Sequence, residues 1–217
     1  MSTRDTPPAT RTPGLSRDDV EVLEKATVWK GRFQIDRYRL RHRLHAGGWS
    51  GTFSREIFER GHAAAVLPYD PHLDRVVLIE QFRPGAYAAG RHPWLIEIVA
   101  GIIEPGEAAE AVVRREAWEE AHVELSAVEK IASFLMTPGA CSEAVDFFVG
   151  RADAGAAGGV YGLPHEHEDI RVFTLSTDEA AALLAEGRIE NALAFIALQW
   201  LLLNRMPLRD RWGAFQR

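Results

Sequence analysis

A chain of 217 residues can bury a core in one domain with an appended sub-domain, and its net charge of −6 argues against a nucleic-acid polymer as partner, since such proteins carry a basic footprint. The single cysteine, Cys141, excludes an intrachain disulfide and suits a reducing cytosol, so a cytoplasmic location is expected. No apolar run approaches the roughly 18 residues of a membrane span, and residues 1–17 (MSTRDTPPATRTPGLSR) read as a flexible tail without the apolar core of a signal peptide.

Val20 to Trp29 reads as a first strand. From Phe33 to Leu44, Tyr38, Leu40, His42 and Leu44 alternate with Arg37, Arg39, Arg41 and Arg43. That period of two describes a half-buried strand with an arginine-rich outer face. Ala46-Gly47-Gly48 supplies a turn, and Trp49 to Glu59 returns as the partner strand. A lone two-stranded unit is marginal in water, so residues 18–60 are expected to form an N-terminal antiparallel β sub-domain that packs on the main domain or on a second subunit.

Residues 61–217 form the expected main domain. His62 to Tyr69 and Arg75 to Gln81 read as strands, Gln81 to Tyr87 as a loop, and Trp94 to Gly101 as one strand interrupted by Glu97. Val128 to Met136, Val145 to Val149 and Ile170 to Leu175 are further strands, and the glycine-rich segment from Ala152 to His167 reads as a loop. Ser176 and Glu179 form a capping box before a helix that Gly187 ends. Asn191 caps a final helix from Ala192 to Asn204, ahead of Pro207. The class is α+β: a mixed sheet with helices packed on it.

The chemistry centres on Gly101 to Val123, GIIEPGEAAEAVVRREAWEEAHV. A turn on Glu104-Pro105-Gly106 leads into helical spacing, and Glu116, Glu119 and Glu120 then fall on or beside one stripe. Like charges so placed oppose a helix by about a few tenths of a kcal/mol per pair. A hard divalent cation would offset that repulsion, and a solvated acidic face is the competing reading. Carboxylates without a Cys/His cluster favour Mg²⁺ or Mn²⁺ over Zn²⁺. Ala109, Val112, Val113, Ala117 and Ala121 make the opposite face, small enough to pack closely on a sheet. Glu97 inside an apolar strand is either an ion-paired core residue or a support for the site.

This stretch resembles the Nudix box, the signature of enzymes that hydrolyse a nucleoside diphosphate linked to another moiety. Gly101, Glu107, Arg115, Glu116, Ala117, Glu119, Glu120 and Val123 match it, while His122 stands where the family has Gly. The segments REIFERGHAA, EQFRPGAY, LIEIVAGIIEPGE, SFLMTPGACSE, EHEDIRV and ENALAFIALQWL are similar to those of bacterial ADP-ribose pyrophosphatases, over about Asp18 to Leu203. Pro138 falls where that subgroup carries proline.

The resemblance implies a Nudix α/β/α sandwich and metal-dependent hydrolysis of ADP-ribose to AMP and ribose 5-phosphate. Another sugar nucleotide (GDP-mannose, ADP-glucose) is the alternative substrate, and a non-catalytic nucleotide sensor the alternative role. It implies Glu116 and Glu120 as metal ligands with Glu119 nearby, the Ala100 carbonyl as a backbone ligand, and more than one ion per site. It assigns Gly101, Glu107 and Arg115 to the structure of the box, Arg115 by orienting a carboxylate. It places the catalytic glutamate in the loop His165 to Asp169, at Glu166 or Glu168, since a metal-bound carboxylate is a weak base. Arg55 and Arg83 match arginines that hold the phosphates and nucleotide, Glu143 a position near the terminal ribose, and Phe33 the region that stacks adenine across a homodimer with exchanged N-terminal strands. His at position 122 is expected in the left-handed conformation at a cost of about 1 kcal/mol, with activity retained.

Overall fold

The computed structural model describes residues 14–213, apart from the side chain of Glu166. Residues 1–13 of the expected tail therefore lie outside the described residues. In the described part of that tail, Ser16 caps a single helical turn, Arg17–Asp19, its hydroxyl oxygen accepting from the Asp18 amide and its own amide donating to Asp19.

The described chain divides into two units, residues 14–60 with 137–142, and residues 61–136 with 143–213. In the first, β1 (Val20–Lys30), β2 (Gln34–His42) and β3 (Phe53–Glu59) pair antiparallel in that order. All three strands read in this region thus pair into one sheet. Trp49 contributes only a bridge to Arg43, so β3 starts later than the pattern suggests. Asp36 is buried here and held by Thr27 Oγ1 at 2.7 Å, Gln34 Nε2 at 2.6 Å and Lys25 Nζ at 2.9 Å. β1 leaves Val20, Val22, Leu23, Val28 and Trp29 exposed. Residues 137–142 join this unit through Phe58, whose amide donates to the Ala140 carbonyl at 2.8 Å.

The second unit is built on eight strands: β4 (Ala63–Asp70), β5 (Arg75–Phe82), β6 (Trp94–Glu97), β7 (Val99–Ile102), β8 (Ala127–Leu135), β9 (Ala144–Arg151), β10 (Gly159–Tyr161) and β11 (Ile170–Ser176). Their order is β10-β11-β5-β4-β9-β8, with β6 on β5 and β7 on β4. β4 runs parallel to β9 and the other pairs are antiparallel, so the sheet is mixed. Four helices accompany it: α1 (Pro84–Ala88), α2 (Ala109–Ala121), α3 (Thr177–Ala185) and α4 (Ala192–Arg211).

The central strands are covered on both faces, which is why β4 and β5 are nearly continuous in apolar residues. On one face Ala64, Val66, Val77 and Ile79 pack with Val112, Val113, Ala117 and Ala121 of α2. On the other, Leu67, Tyr69, Val76 and Leu78 pack with Ala180 of α3 and Ala194, Ala197, Leu198, Leu201 and Leu208 of α4. Each fully buried valine of α2 contributes about 1.5–3 kcal/mol, enough to outweigh the repulsion among its carboxylates.

Four local expectations are corrected. The loop from Gln81 to Tyr87 contains α1, with Pro84 at its first turn, where a missing N–H costs nothing. The stretch from Trp94 to Gly101 is two strands: it enters beside β5, switches partner at Ile98 and leaves beside β4. The glycine-rich segment includes β10 and a single helical turn, Pro164–Glu166. The last helix continues through Pro207 to Arg211. A proline inside a helix costs about 3 kcal/mol. Burial of Leu208 and Trp212 offsets this, as do Arg205 and Arg209, which close on Asp74.

Candidate active site

The partner switch at Ile98 separates two anchor points, Glu97 before it and Ala100-Gly101 after it. Before it, Glu97 is 2% exposed, and its carboxylate accepts from Arg83 Nε at 3.0 Å and Arg83 Nη2 at 2.7 Å. Asn191 Nδ2 adds a third bond at 3.0 Å while the Asn191 oxygen caps α4. Glu97 is therefore an ion-paired buried residue that joins the end of β5 to the start of α4.

After the switch, Ala100 and Gly101 meet α2. The Ala100 amide donates to Glu120 Oε2 at 3.1 Å. A β-carbon on Gly101 would lie 2.0 Å from Glu116 Oε1, so only glycine admits that carboxylate. Glu116 and Glu120 are thus brought against one short strand, in a site largely withdrawn from water.

Withdrawal has an electrostatic consequence. Burial pushes Glu120 up to about 8, with Glu116 and Glu168 adding to the effect and the Ala100 amide and Arg83 opposing it. Burial pushes Glu116 up to about 7 against the pull of Arg115, with Glu119 and Glu168 adding to the rise. Burial also disfavours the Arg83 charge, yet Glu97, Glu120 and Glu168 outweigh it and hold the guanidinium above its ordinary pKa. Glu116, Glu120, Glu168 and Arg83 accordingly share one field.

Arg115 supplies positive charge along the box. Its Nη1 donates to Glu116 Oε1 at 2.7 Å and Glu119 Oε2 at 3.0 Å, and its Nε to Glu107 Oε1 at 3.3 Å. Part of the repulsion among these carboxylates is therefore relieved within the chain. Glu107 precedes the helix and also accepts from the Glu104 amide. Among the described residues, no three His, Cys, Asp or Glu side chains converge as a ready-made metal cage. The two-carboxylate arrangement nevertheless fits a hard cation: Glu116 and Glu120 repel each other in a buried, oxygen-only setting, and the missing β-carbon of Gly101 makes room for a carboxylate.

Glu168 lies after the turn Pro164–Glu166, and its Oε2 accepts from the Leu163 amide at 2.9 Å. The backbone of Glu166 lies in that turn, while its side chain, the expected base, is outside the described residues. Glu143 is buried just ahead of β9. Arg55 and Phe33 belong to the other unit. Arg55 donates to the Ser54 carbonyl and lies over Phe53, and Phe33 packs edge-on against Phe58 with Arg32 and Arg60 over its ring. Sequence reasoning missed the Asn191–Glu97 link and a ring stack at His122. The first connects residues far apart in the chain, and nothing local announces it.

A model of the NUDIX domain matches residues 59–211. The chain belongs to the NUDIX family. Among its relatives, an ADP-ribose pyrophosphatase of Escherichia coli is 49% identical over 199 residues, 92% of this chain and 95% of that protein. A GDP-mannose pyrophosphatase of Klebsiella pneumoniae is 38% identical over 152 residues, 68% of this chain and 74% of that protein. The crystal structure of an ADP compounds hydrolase has a similar fold, with a TM-score of 0.66 and 20% identity over 91% of this chain and 98% of that one.

Proposed function

We propose that this NUDIX protein hydrolyses the pyrophosphate of ADP-ribose, giving AMP and ribose 5-phosphate. The observation that carries the reaction class is the pair of buried carboxylates, Glu116 and Glu120, set against Ala100 and Gly101 with Glu168 in the same field. The greater likeness to an ADP-ribose pyrophosphatase than to a GDP-mannose pyrophosphatase supports the substrate.

Glu116, Glu120 and the Ala100 carbonyl would hold Mg²⁺ or Mn²⁺, with Glu119 available to a further ion. A divalent cation there would neutralise diphosphate oxygens and favour ionisation of water. Glu168, or Glu166 from the same loop, takes the proton of the attacking water as the new P–O bond forms and the bridging P–O bond breaks. Arg115 holds Glu116 and Glu119 in place. Arg83 spends Nε and Nη2 on Glu97, leaving Nη1 for a phosphate oxygen. By the family resemblance Arg55 contacts the phosphates or nucleotide, Glu143 lies near the terminal ribose, and Phe33 stacks the adenine across a homodimer.

Residues 18–60 act as the dimerisation sub-domain of a homodimer. The exposed apolar side chains of β1, Val22 at 52% and Trp29 at 55% among them, support this role because a second copy would cover them. No helix of the described residues is long and apolar enough to cross a membrane, and a cytoplasmic location matches the single cysteine.

Product analysis with purified protein, Mg²⁺ and ADP-ribose tests the proposal, beside GDP-mannose, ADP-glucose and a metal-free control. AMP and ribose 5-phosphate are expected, and Glu116→Gln abolishes their release. Cleavage of another sugar nucleotide alone would overturn the substrate. Binding of ADP-ribose without turnover of any compound would make the protein a sensor.

A further inference from the structure

His122 ends α2 in the left-handed conformation, φ 52° and ψ 38°, the backbone state that glycine adopts freely. Unlike glycine, it carries a ring. The imidazole lies against Trp118 one turn earlier, with centroids 3.8 Å apart and planes tilted by 36°, and stacks on Tyr161 at 5.3 Å and 11° between planes. Tyr161 is well fixed. It pairs with Ile170 across β10 and β11, its hydroxyl donates to the Gly158 carbonyl at 2.9 Å, and its ring lies on Gly159, where a β-carbon would come within 3.1 Å.

Tyr161 is also the last residue before the loop that returns to β11. The next residue, Gly162, has φ 111°, and a β-carbon there would lie 2.6 Å from Glu168 Cβ. Leu163 then exchanges bonds with Glu168: its amide donates to the Glu168 carboxylate at 2.9 Å, and its carbonyl accepts from the Glu168 amide at 3.3 Å. The loop is closed at its neck by two successive pairs, Tyr161 with Ile170 and Leu163 with Glu168. Only Gly162 separates Tyr161 from Leu163, the residue bonded to Glu168.

We propose that the Trp118–His122–Tyr161 stack is a positioning device that ties the end of the carboxylate-bearing helix to the neck of the Glu168 loop. The side chain at the family's glycine position is then an addition rather than a defect. His122 and Tyr161 act through Glu168 and are positioning residues. The inference rests on the functional reading above for its kinetic consequence, whereas the tether itself is a property of the fold.

The test combines kinetics with hydrogen exchange on the full chain. Tyr161→Leu is expected to lower kcat about tenfold with KM within about twofold, because the loop is misplaced while substrate contacts remain. Amides of 159–170 exchange faster in this variant, and those of α2 and the central strands are unchanged. Tyr161→Phe, which keeps the ring, restores both readings. His122→Gly acts in the same direction, and the double variant His122→Gly with Tyr161→Leu goes no further than Tyr161→Leu, as one shared contact requires. Wild-type kcat and wild-type loop exchange in Tyr161→Leu would overturn the tether. So would faster exchange spread equally over the core, which marks a general structural role. Should the wild type cleave no sugar nucleotide, the functional reading falls, and the exchange comparison decides the tether alone.

Discussion

Gly101 and Glu116 are in such close approach that the box glycine is a steric requirement of the carboxylate rather than of the backbone. Its φ is not in the left-handed range, and the atoms that a β-carbon would strike all belong to the Glu116 side chain. A flexible side chain can swing away, so Gly101→Ala is expected to fold, with thermal stability within about 1 kcal/mol of wild type. Its activity falls by about a hundredfold or more because Glu116 is displaced. Calorimetry beside ADP-ribose turnover checks both halves; a variant that unfolds would show that the backbone itself cannot move.

The folded protein holds Glu116 near 7 and Glu120 near 8, both above the ordinary carboxyl value of 4.5. A raised carboxyl pKa means that the folded state keeps protons the unfolded chain releases. The stabilisation is complete below 4.5 and is lost as pH climbs through 7 and 8. The metal-free protein is therefore expected to melt at progressively lower temperature across that interval, and Glu120→Gln flattens the decline. Mg²⁺ acts in the opposite sense, binding more tightly as the carboxylates ionise. Melting curves with EDTA and with Mg²⁺, taken over the same pH series, separate the two effects.

Arg83 and Glu97 are unequal partners, since the carboxylate is buried and the guanidinium 42% exposed. Removing the exposed member strands the buried one. Arg83→Ala is expected to cost about 2–3 kcal/mol, and Glu97→Gln about 1 kcal/mol, because the amide keeps an acceptor for Arg83 and Asn191. Arg83→Lys recovers only part of the loss, for an ammonium cannot match the two-point contact. Urea denaturation of the three variants gives the ranking.

At position 122 two terms of similar size oppose each other. His122→Gly relieves about 1 kcal/mol of left-handed strain and forfeits two ring contacts worth about 0.5–1.5 kcal/mol each, so its stability is expected to fall by about 0–2 kcal/mol. His122→Ala keeps the strain and loses the rings, and is expected to be the less stable of the two by about 1 kcal/mol. Both variants lack the ring, so denaturation midpoints that place Ala at or above Gly would mean that the left-handed backbone carries no strain.

Features written in neighbouring residues were legible in advance. The apolar face of α2 packs as its spacing indicated, and the capping box at Ser176 and Glu179 and the cap at Asn191 form as read. Features that depend on distant partners were not. Pro84 and Pro207 look alike as local signals. One opens a helix and the other is carried through a helix by Arg205, Arg209 and Asp74, residues brought together only by folding. The break at Ile98 is invisible locally because Glu97 is the single polar residue in an otherwise apolar run, and only the identity of the neighbouring strand changes. The resemblance gave Arg115 a carboxylate to orient, but spacing alone did not say which, since its rotamer decides among the three it meets.

The stretch from Glu97 to Gly101 works as a ruler laid between two strands. One end is fixed by Arg83 and Asn191, the other by the backbone that receives Glu116 and Glu120. A strand slipped by one residue turns every side chain to the opposite face. One residue inserted here would carry Ala100 into the place of Gly101, and its methyl group would bar Glu116. Deletion would bring Ile102 there instead. Catalytic competence in this chain thus depends on the count of residues between two anchors as much as on their identity, and length changes at this seam should be far less tolerated than substitutions.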